Sequence, residues 1–410
     1  MSPEILCRFC AAPLTQSFAD LGSTPLSNSY LRAADLERME PTYPLHARVC
    51  GRCFLVQLEA FETPQHIFSD YAYFSSYSDT WLQHARAYAE KTIGRFGLSS
   101  SNRVVEIASN DGYLLRWFHE RGIPVLGIEP AANVARVAEE RGIPSRVLFF
   151  GRETAKRLAA AGETADLTAA NNVLAHVPDI NDFVAGFSIV LKPEGVSTFE
   201  FPHLLRLMEQ CQFDTIYHEH FSYLSLTTVA KIFASHNLRV FDVEELPTHG
   251  GSLRVYACRQ NAAHKEIDAV KALLERERRF GLQNLSRYAS FQEEVKAVKR
   301  DLLAFLIEAK RAGKRVAGYG APAKGNTLMN YCGIRTDFID FTVDRSPHKQ
   351  GTWLPGTRIP VYGPGEIRAA KPDYLLILPW NLKDEVMEQM AYIREWGGRF
   401  VVPIPKLEIL

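Results

Sequence analysis

Two consecutive strand–turn–helix patterns between Asn102 and Gly142 constrain the fold of this chain more than any other feature. The run "RVVEIA" is a short apolar segment typical of a buried parallel strand, and "SNDG" after it is a turn that opens a helix. The run "IPVLGIEPAANVARVAEERG" repeats this order and carries the acidic residue Glu129 at the end of its strand. This succession predicts a doubly wound α/β domain that binds a nucleotide-like ligand.

The turn after the first strand indicates what that ligand is. Glu129 is suited to accept hydrogen bonds from ribose hydroxyls, as acids at this position do. The turn lacks the G-x-G-x-x-G pattern, so it offers a pyrophosphate no obvious cradle. A loop of Asn110, Asp111 and Gly112 instead suits a ligand with an amino acid and an adenosine but no phosphate. The pattern therefore points to S-adenosylmethionine, and an ordinary strand–turn–helix is the alternative.

Further polar residues follow later strands of the same predicted sheet. The run "ADLTAANNVLAHVPD" ends its apolar body at Asn171 and Asn172, and His176 comes shortly after. Ligands of open α/β sheets bind beyond the carboxyl ends of the strands. We therefore expect Asn171, Asn172 and His176 to face the cofactor and the substrate.

Composition bounds the remaining possibilities. A chain of 410 residues is too long for one ordinary core and predicts two or three domains. Lysine and arginine number 47, as do aspartate and glutamate, so a nucleic-acid partner is not expected. No long apolar run and no signal-peptide pattern appear, and the seven cysteines suit a reducing compartment. We expect a cytoplasmic protein without a membrane partner.

Four of the cysteines form two CxxC pairs. The pairs are Cys7 with Cys10 in "CRFC" and Cys50 with Cys53 in "CGRC". Two such knuckles supply the four thiolates that zinc prefers in closed, structural sites. A redox dithiol is the alternative, but a redox site normally needs one CxxC. The quartet predicts a structural zinc site without a catalytic role.

The segment "TIYHEHFSYLS" concentrates His218, Glu219 and His220 among aromatic residues. A metal site, a proton-transfer centre and a buried polar network are all compatible with it. In a strand, His218 and His220 would share a face, as metal ligands do, but no third ligand is evident. A neutral imidazole is basic enough near pH 7 to abstract a proton, so we favour proton transfer with His220 as the base.

The run "KRVAGYGAPAKGNTLMNYCG" starts a second α/β unit after a charged segment with helical spacing. Its glycines match the G-x-G-x-x-G/A fingerprint, and Asp344 ends the next strand, so a nicotinamide-dependent dehydrogenase is an alternative function. Pro322 removes one amide from the cradle, and Lys324 stands where a charge would serve phosphates. Both features argue against the dehydrogenase alternative.

Together, the cysteine quartet, "EIASNDGYLL", "NNVLAHVPD", "YHEHFSYLS" and "HGGSLRV" resemble the nucleotide-sugar C-methyltransferases of antibiotic deoxysugar pathways. The resemblance runs through essentially the whole chain. It implies an α/β protein with an N-terminal zinc-binding module, a central Rossmann-like methyltransferase domain and a C-terminal Rossmann-like domain. The boundaries we predict are a zinc module over 1–70, the methyltransferase domain over 71–262, a helical linker over 263–313 and the C-terminal domain over 314–410.

The resemblance also implies a reaction. A methyl group of S-adenosylmethionine passes to C3 of a dTDP-4-keto-deoxyhexose, which lies between the central and C-terminal domains. His220 would be the base, Glu219 would bind a sugar amine or hydroxyl or orient the imidazole, and Tyr217 and His176 would face the 4-keto oxygen. The expected substrate contacts are Phe221, His249, Lys324 and Asn326. The expected cofactor contacts are Tyr73, Ser75, Glu106, Ala108, Asn110, Asp111, Gly112, Glu129, Pro130, Asn171 and Asn172.

One departure from the family concerns the cofactor. Ala108 stands where the family usually has glycine, and its methyl group narrows the space for the methionine moiety, so we expect weaker cofactor binding with the fold intact. Tyr73 and Ser75 belong to "YAYFSSYSDTW", which could close over the cofactor or form a packed aromatic linker. Further alternatives are an N- or O-methyltransferase on a related sugar and a non-enzymatic zinc scaffold. A monomer or homodimer is expected.

Overall fold

The computed structural model describes residues 4–61, 75–77 and 79–410. Tyr73, one of the expected cofactor contacts, lies outside the described residues. The chain builds three sheets with helices packed around them. The predicted α/β fold with an N-terminal cysteine module is confirmed.

The strands are numbered in chain order over the described residues. They are β1 (Gln16–Thr24), β2 (Tyr43–Val49), β3 (Val56–Gln57), β4 (Val104–Ile107), β5 (Val125–Ile128), β6 (Ser145–Arg146), β7 (Ala165–Asn171), β8 (Leu191–Pro202), β9 (Ser222–Tyr223), β10 (Leu238–Leu246), β11 (Ser252–Arg259), β12 (Val316–Tyr319), β13 (Thr342–Val343), β14 (Val361–Tyr362), β15 (Tyr374–Ile377), β16 (Arg399–Val402) and β17 (Glu408–Ile409).

The α-helices are numbered in the same way. They are α1 (Asp79–Phe96), α2 (Leu115–His119), α3 (Ala132–Glu140), α4 (Arg152–Ala160), α5 (Ile180–Val190), α6 (Leu204–Glu209), α7 (Leu226–Ala234), α8 (Asp268–Phe280), α9 (Leu285–Arg311), α10 (Ala323–Cys332), α11 (Glu366–Ala370) and α12 (Lys383–Gln389). Short 3-10 helices are Ala33–Asp35, Ser75–Tyr77, Leu174–His176, Phe213–Thr215, Thr248–Gly250, Trp380–Leu382 and Ala391–Trp396.

The N-terminal sheet has the order β1-β2-β3-β9, and its paired strands are antiparallel. Its fourth strand comes from the segment that directly follows His220, far along the chain. On β2, Leu45, Ala47 and Val49 are buried, because alternate side chains of a strand point to the same face. The Phe18 ring of β1 stacks on Phe291 of α9 with a centroid distance of 4.6 Å. This sheet thus contacts helix α9 on one side and the segment after His220 on the other.

The central sheet has the order β10-β11-β8-β7-β4-β5-β6. Strands β4 to β8 run parallel, and β11 pairs antiparallel with β8 and β10. The predicted strands "VVEI" and "VLGI" are buried at every position, as strands covered by helices on both faces are. Because β4 pairs with β5 on one side and β7 on the other, the chain reverses direction across the sheet there. A ligand crevice forms at the carboxyl ends of strands at such a point.

The C-terminal sheet has the order β14-β13-β12-β15-β16-β17, with only β17 antiparallel to its neighbour. Strand β12 again has later strands on both sides, so the second α/β unit predicted from "RVAGYG" is present. Helices α8 and α9 connect the two α/β units along the chain. Among the described helices, none combines the length and the apolar character needed to cross a membrane.

Candidate active site

The loop after β4 has an unusual backbone. Ala108 and Asn110 have φ angles of 58° and 49°, in the left-handed region where non-glycine residues are uncommon. The Ala108 amide donates to the Ile128 carbonyl at 2.8 Å, which ties the loop to the end of β5. A side chain at Gly112 would place its Cβ 3.0 Å from Ile143 Cγ1, so glycine is needed there. The loop therefore packs closely against the neighbouring strand and helix.

Glu129 fixes this loop from the tip of β5, with Pro130 beside it. Its two carboxylate oxygens accept from the backbone amides of Asn110 and Ala131, each at 2.9 Å. Burial raises the pKa of Glu129, and the two amide donors oppose that rise. Each oxygen has a second lone pair, so these bonds leave room for a ribose hydroxyl.

The short helix of residues 75–77 closes over the same loop. The Ser75 amide donates to Asn110 Oδ1 at 2.9 Å, and Ser75 is buried. Asp111 Oδ2 accepts from the Ser76 hydroxyl and from Arg141 Nη1, the latter at 3.0 Å. Sequence reasoning missed Ser76 and Arg141, since neither belongs to a motif and both meet Asp111 only through the fold. Asp111 acts here as the junction of three elements.

Several buried acceptors around the ends of β4 and β7 have no hydrogen-bond partner among the described residues. They are Asp111 Oδ1, Ser109 Oγ, Asn171 Oδ1 and Asn172 Oδ1. Burial raises the pKa of Glu106 well above its usual range, and only the nearby Tyr113 hydroxyl opposes that rise. Unsatisfied buried acceptors are rare in native proteins. The ammonium, ribose hydroxyls and adenine amine of S-adenosylmethionine are donors, so the residues present fit this cofactor.

His220 lies between two fixed hydrogen-bond partners. Its Nδ1 is 3.0 Å from the Thr215 carbonyl, which can only accept, so Nδ1 carries the proton. Nε2 therefore has the free electron pair and accepts from the Tyr217 hydroxyl at 2.8 Å. Burial, followed by the neighbouring His176, holds the pKa of His220 well below its usual value. The imidazole is thus neutral, in one tautomer, with its basic nitrogen defined.

His176 packs against His220 with ring centroids 4.7 Å apart. Its Nδ1 donates to the Glu219 carbonyl at 2.8 Å, which makes Nε2 an acceptor. Burial lowers the pKa of His176 to about 4, so the ring is neutral near pH 7. A neutral ring in this tautomer cannot donate to an enolate oxygen through Nε2. The expected donor role therefore fits the Tyr217 hydroxyl better than His176.

Glu219 lies near this histidine pair and is 8% exposed. Its Oε1 accepts from the side-chain amide of Asn28, an exposed residue of the N-terminal module, at 2.7 Å. Burial raises the pKa of Glu219, and the Asn28 bond opposes that rise. Asn28 carried no sequence signal, because it lies almost two hundred residues from the segment it contacts.

The two residues flanking Glu219 and His220 face the N-terminal module. The His218 ring contacts Tyr43 and Phe61 edge-on, and its Nε2 lies 3.2 Å from the Pro44 carbonyl. His218 and His220 therefore have different surroundings, which disfavours a metal site at "HEH". Phe221 is 1% exposed and packs under the Arg8 guanidinium, so its placement does not support the expected substrate contact.

The remaining expected substrate residues lie where the central and C-terminal units meet. Lys324 Nζ sits 4.2 Å from the Trp380 ring centroid and donates to Asn381. Trp380 Nε1 donates to the buried Asp214 at 2.7 Å. Burial lowers the pKa of Lys324 to about 8, while Asp214 opposes that shift. Burial raises the pKa of Asp214 itself to about 6.

His249 lies near helix α1. Its φ angle is 55°, and its ring contacts Trp81 edge-on with centroids 5.5 Å apart. Burial lowers the pKa of His249. Asn326 is buried, and its side-chain amide donates to the Ser27 carbonyl at 2.6 Å. Asn326 thus joins the C-terminal unit to the N-terminal module. This bond does not support the substrate contact predicted for Asn326.

Backbone groups of the C-terminal glycine loop are already hydrogen-bonded to other residues of the protein. The Ala321 amide donates to Asp344 Oδ2 at 2.7 Å, which ties the loop to the end of β13. The Ala321 carbonyl accepts from the Tyr30 hydroxyl and from Lys349 Nζ, the latter at 2.8 Å. A dinucleotide would have to displace these contacts. The geometry disfavours the dehydrogenase alternative.

The cysteine quartet gathers as predicted. The sulfurs of Cys7, Cys10, Cys50 and Cys53 all lie within 4.8 Å of one another. Cys7 and Cys53 sulfurs are 3.6 Å apart, and those of Cys10 and Cys50 are 3.5 Å apart. A tetrahedral site with zinc–sulfur bonds of about 2.3 Å separates its sulfurs by about 3.8 Å. The four thiols fit a closed zinc site.

Comparison with known proteins identifies the enzyme class. The chain is 38% identical over 407 residues to the C-methyltransferase NovU of Streptomyces niveus, covering 98% of this chain and 96% of that protein. The chain belongs to the C-methyltransferase family. It matches the descriptions "putative zinc binding domain" over 7–68, "methyltransferase domain" over 81–243 and "C-methyltransferase C-terminal domain" over 247–405.

This C-methyltransferase also has more partial relatives. A ubiquinone biosynthesis O-methyltransferase of Rhodopseudomonas palustris (strain BisA53) is 30% identical over 94 residues, covering 23% of this chain and 37% of that protein. A solved structure of the PH0226 protein from Pyrococcus horikoshii OT3 matches 49% of this chain and 100% of its own, at 15% identity and a TM-score of 0.38.

The expected enzyme class and cofactors are confirmed. The protein is an S-adenosylmethionine-dependent C-methyltransferase with a zinc-binding N-terminal module. When bound, S-adenosylmethionine supplies an electrophilic methyl group, and the residues fitted to hold it surround the ends of β4, β5 and β7. Cys7, Cys10, Cys50 and Cys53 would hold the zinc.

Proposed function

We propose that this C-methyltransferase methylates C3 of a dTDP-linked 4-keto-deoxyhexose and that His220 is the base. The observation that carries this proposal is the hydrogen-bond chain from the Thr215 carbonyl through His220 to the Tyr217 hydroxyl. It presents a neutral imidazole with its lone pair on the side of a hydroxyl donor. Abstraction of a proton from carbon needs such a base, and the developing enolate needs such a donor.

The chemistry follows from these groups. His220 Nε2 takes the C3 proton, and the electrons of the C3–H bond pass into the enolate as negative charge develops on the 4-keto oxygen. The Tyr217 hydroxyl turns from Nε2 to that oxygen and stabilises the charge. C3 then forms its bond to the donor methyl group while the methyl–sulfur bond breaks, and its electrons stay on sulfur.

The low pKa of His220 has two opposite effects. It keeps Nε2 of His220 unprotonated near pH 7, which is the form that a general base requires. It also makes proton transfer from carbon unfavourable unless the enolate is stabilised within the same site. We infer that the Tyr217 hydroxyl supplies that stabilisation, because the keto oxygen and C3 are two bonds apart and one group can contact each.

The sugar nucleotide is proposed to lie between the histidine pair and the C-terminal unit. Glu219 and Asn28 would bind a polar substituent of the sugar, while Lys324 and His249 would approach the diphosphate. The position of Lys324 in the first turn of helix α10 supports this, since a helix start and an ammonium both favour phosphate. A cytoplasmic location and a monomeric or homodimeric state remain predictions.

The test is mass spectrometry of dTDP-4-keto-deoxysugars incubated with enzyme and S-adenosylmethionine in deuterated water. The wild type should add one methyl group and lose the C3 hydrogen. His220→Asn should lose both methyl transfer and hydrogen exchange at C3 by about 100-fold or more, the usual contribution of a general base. His348→Asn, at an exposed histidine, should behave as the wild type.

Two results would overturn the proposal. A His220→Asn variant that still methylates at the wild-type rate would show that no carbon acid is deprotonated by this residue, as for methylation of an amine or hydroxyl. A folded, zinc-loaded wild type that neither methylates nor exchanges any sugar of the panel would exclude this substrate class.

A further inference from the structure

Gln57 is a buried residue that contacts both the cysteine quartet and the strand that follows His220. It is 2% exposed, and its Nε2 lies 3.2 Å from the Cys7 sulfur. Its Oε1 accepts from the Arg8 amide at 2.9 Å. Both ends of the side chain are therefore occupied by the knuckle that carries Cys7 and Cys10. An amide that donates to a metal-bound thiolate orients that ligand and tunes its charge.

The backbone of the same residue holds the segment that follows His220. Gln57 pairs with Ser222 and Val56 with Tyr223 in the β3–β9 ladder. The Leu58 amide donates to the Phe221 carbonyl at 3.0 Å. Ser222 is two residues after His220. A ladder of two residue pairs is short, so the side-chain bonds from Gln57 to the knuckle add a restraint on its register.

Arg8 makes a matching connection to the other histidine. Its Nη1 donates to the Pro178 carbonyl at 3.0 Å, two residues after His176, and its Nη2 donates to Leu58. The Asn181 side chain in turn donates to the Arg8 carbonyl at 3.1 Å. The knuckle between Cys7 and Cys10 thus contacts both loops that carry the histidine pair.

We propose that Gln57 and Arg8 are positioning residues through which the zinc-bound knuckle sets the spacing of His176 and His220. Zinc closes the knuckle, the knuckle orients Gln57 and Arg8, and these two side chains fix the loops behind the imidazoles. This role rests on the proposed function of His220 as base, but the mechanical coupling itself does not. The zinc site then acts on catalysis without touching substrate or cofactor.

The direct test replaces Gln57 with methionine, which keeps the size of the side chain and removes its amide. Gln16→Met, at an exposed glutamine of β1 in the same sheet, is the control. We expect Gln57→Met to retain its zinc and to lower kcat about tenfold, as loss of a partner of a metal ligand does. The KM for S-adenosylmethionine should change by less than about twofold, because the cofactor loops are untouched.

Two readouts go beyond activity. Amide hydrogen exchange over residues 219–225 should accelerate in Gln57→Met and in zinc-depleted wild type, but not in Gln16→Met. Because coupling is reciprocal, binding of the dTDP-sugar to wild type should slow zinc release to a chelator, and Gln57→Met should lose that effect. Arg8→Lys, which keeps the charge, should accelerate amide exchange over residues 176–179. This second variant tests the proposal if Gln57→Met does not fold.

Wild-type exchange over 219–225 in zinc-loaded Gln57→Met, or equal exchange with and without zinc in the wild type, would overturn the proposal. If exchange responds to zinc while His220→Asn leaves C3 hydrogen exchange intact, the coupling stands and the assignment of the base fails. The two proposals are therefore separable.

Discussion

The Tyr217 hydroxyl lies 2.8 Å from Nε2 of His220, the nitrogen that the Thr215 carbonyl leaves without a proton. The donor that would stabilise an enolate is therefore held on the base itself before substrate arrives. Removing the Tyr217 hydroxyl separates the role of the donor from that of the base, because His220 remains.

We expect Tyr217→Phe to lower kcat by about 100-fold, the usual cost of one oxyanion donor, with little change in cofactor affinity. Steady-state kinetics and titration with S-adenosylmethionine measure both. Exchange of the C3 hydrogen should slow in parallel with methylation, since both require the enolate. Tyr362→Phe, at an exposed tyrosine, is the control. Unchanged kcat in Tyr217→Phe would remove this residue from the mechanism.

The strained backbone at Ala108 predicts the effect of restoring glycine there. An alanine with a φ of 58° is strained by about 1 kcal/mol relative to its preferred conformations, and glycine would relieve that strain. Glycine also increases the conformational entropy of the unfolded chain, which offsets most of the relief. Ala108→Gly should therefore change the free energy of unfolding by less than about 1 kcal/mol. It should bind S-adenosylmethionine several-fold more tightly, because a methyl group leaves the cofactor loop.

Calorimetric titration and thermal unfolding test this prediction. Lys371→Gly provides a matched control, since Lys371 has a φ of 48° at the exposed end of helix α11 and lies in a different unit. It should share any stability change without altering cofactor affinity. Weaker binding in Ala108→Gly would mean that the methyl group packs against the cofactor instead of crowding it.

The bond between Asn28 and Glu219 predicts a role for the N-terminal module in substrate binding. Asn28→Ala removes the only described side-chain donor to Glu219 Oε1 and should raise the pKa of that carboxyl further. We expect KM for the sugar nucleotide to rise about tenfold, the value of one charge-assisted hydrogen bond, with the KM for S-adenosylmethionine unchanged. Kinetics with each substrate varied in turn measure the difference.

Asn28→Asp should be more damaging than Asn28→Ala, because it brings two carboxyl groups to a distance where only one can ionise. Asn261→Ala, at an exposed asparagine, is the control. Equal kinetics for wild type and both Asn28 variants would show that Glu219 does not depend on the N-terminal module.

Asp214 predicts a pH dependence of stability. Burial raises its pKa to about 6, and its Oδ2 accepts from Trp380 at 2.7 Å. Because the folded pKa lies above the unfolded value of about 4, the folded state binds the proton more tightly, and this contribution is present at low pH. It is lost as the pH rises through about 6, where the buried group must carry its charge.

The contribution of Asp214 should lower the melting temperature of the wild type as the pH rises from about 4 to 6, and Asp214→Asn should lack that contribution. Thermal unfolding across that range measures the difference between the two proteins. Asp337→Asn, at an exposed aspartate, should keep the wild-type slope. Parallel curves for wild type and Asp214→Asn would mean that Lys324 neutralises Asp214 in the folded state.

Local patterns determined the elements of this protein. The apolar runs around Val105 and Leu126 specified buried strands, since a continuous apolar segment of that length fits a sheet covered on both faces. The spacing within each CxxC pair specified a thiolate knuckle, because two residues between cysteines suffice to turn both sulfurs to one point. Glu129 was predictable as the acid at the tip of β5, because it directly follows the apolar run of that strand.

Only the tertiary structure decided which distant groups meet. Ser222 joins a sheet of the N-terminal module, Asn28 reaches Glu219, and Asp344 caps the glycine loop that its sequence suggested for a dinucleotide. None of these contacts has a periodic or covalent signature, because each depends on how distant parts of the chain pack together. The enzyme class could be read from the motifs, whereas the tautomer and partners of His220 required the positions of the Thr215 carbonyl and the Tyr217 hydroxyl.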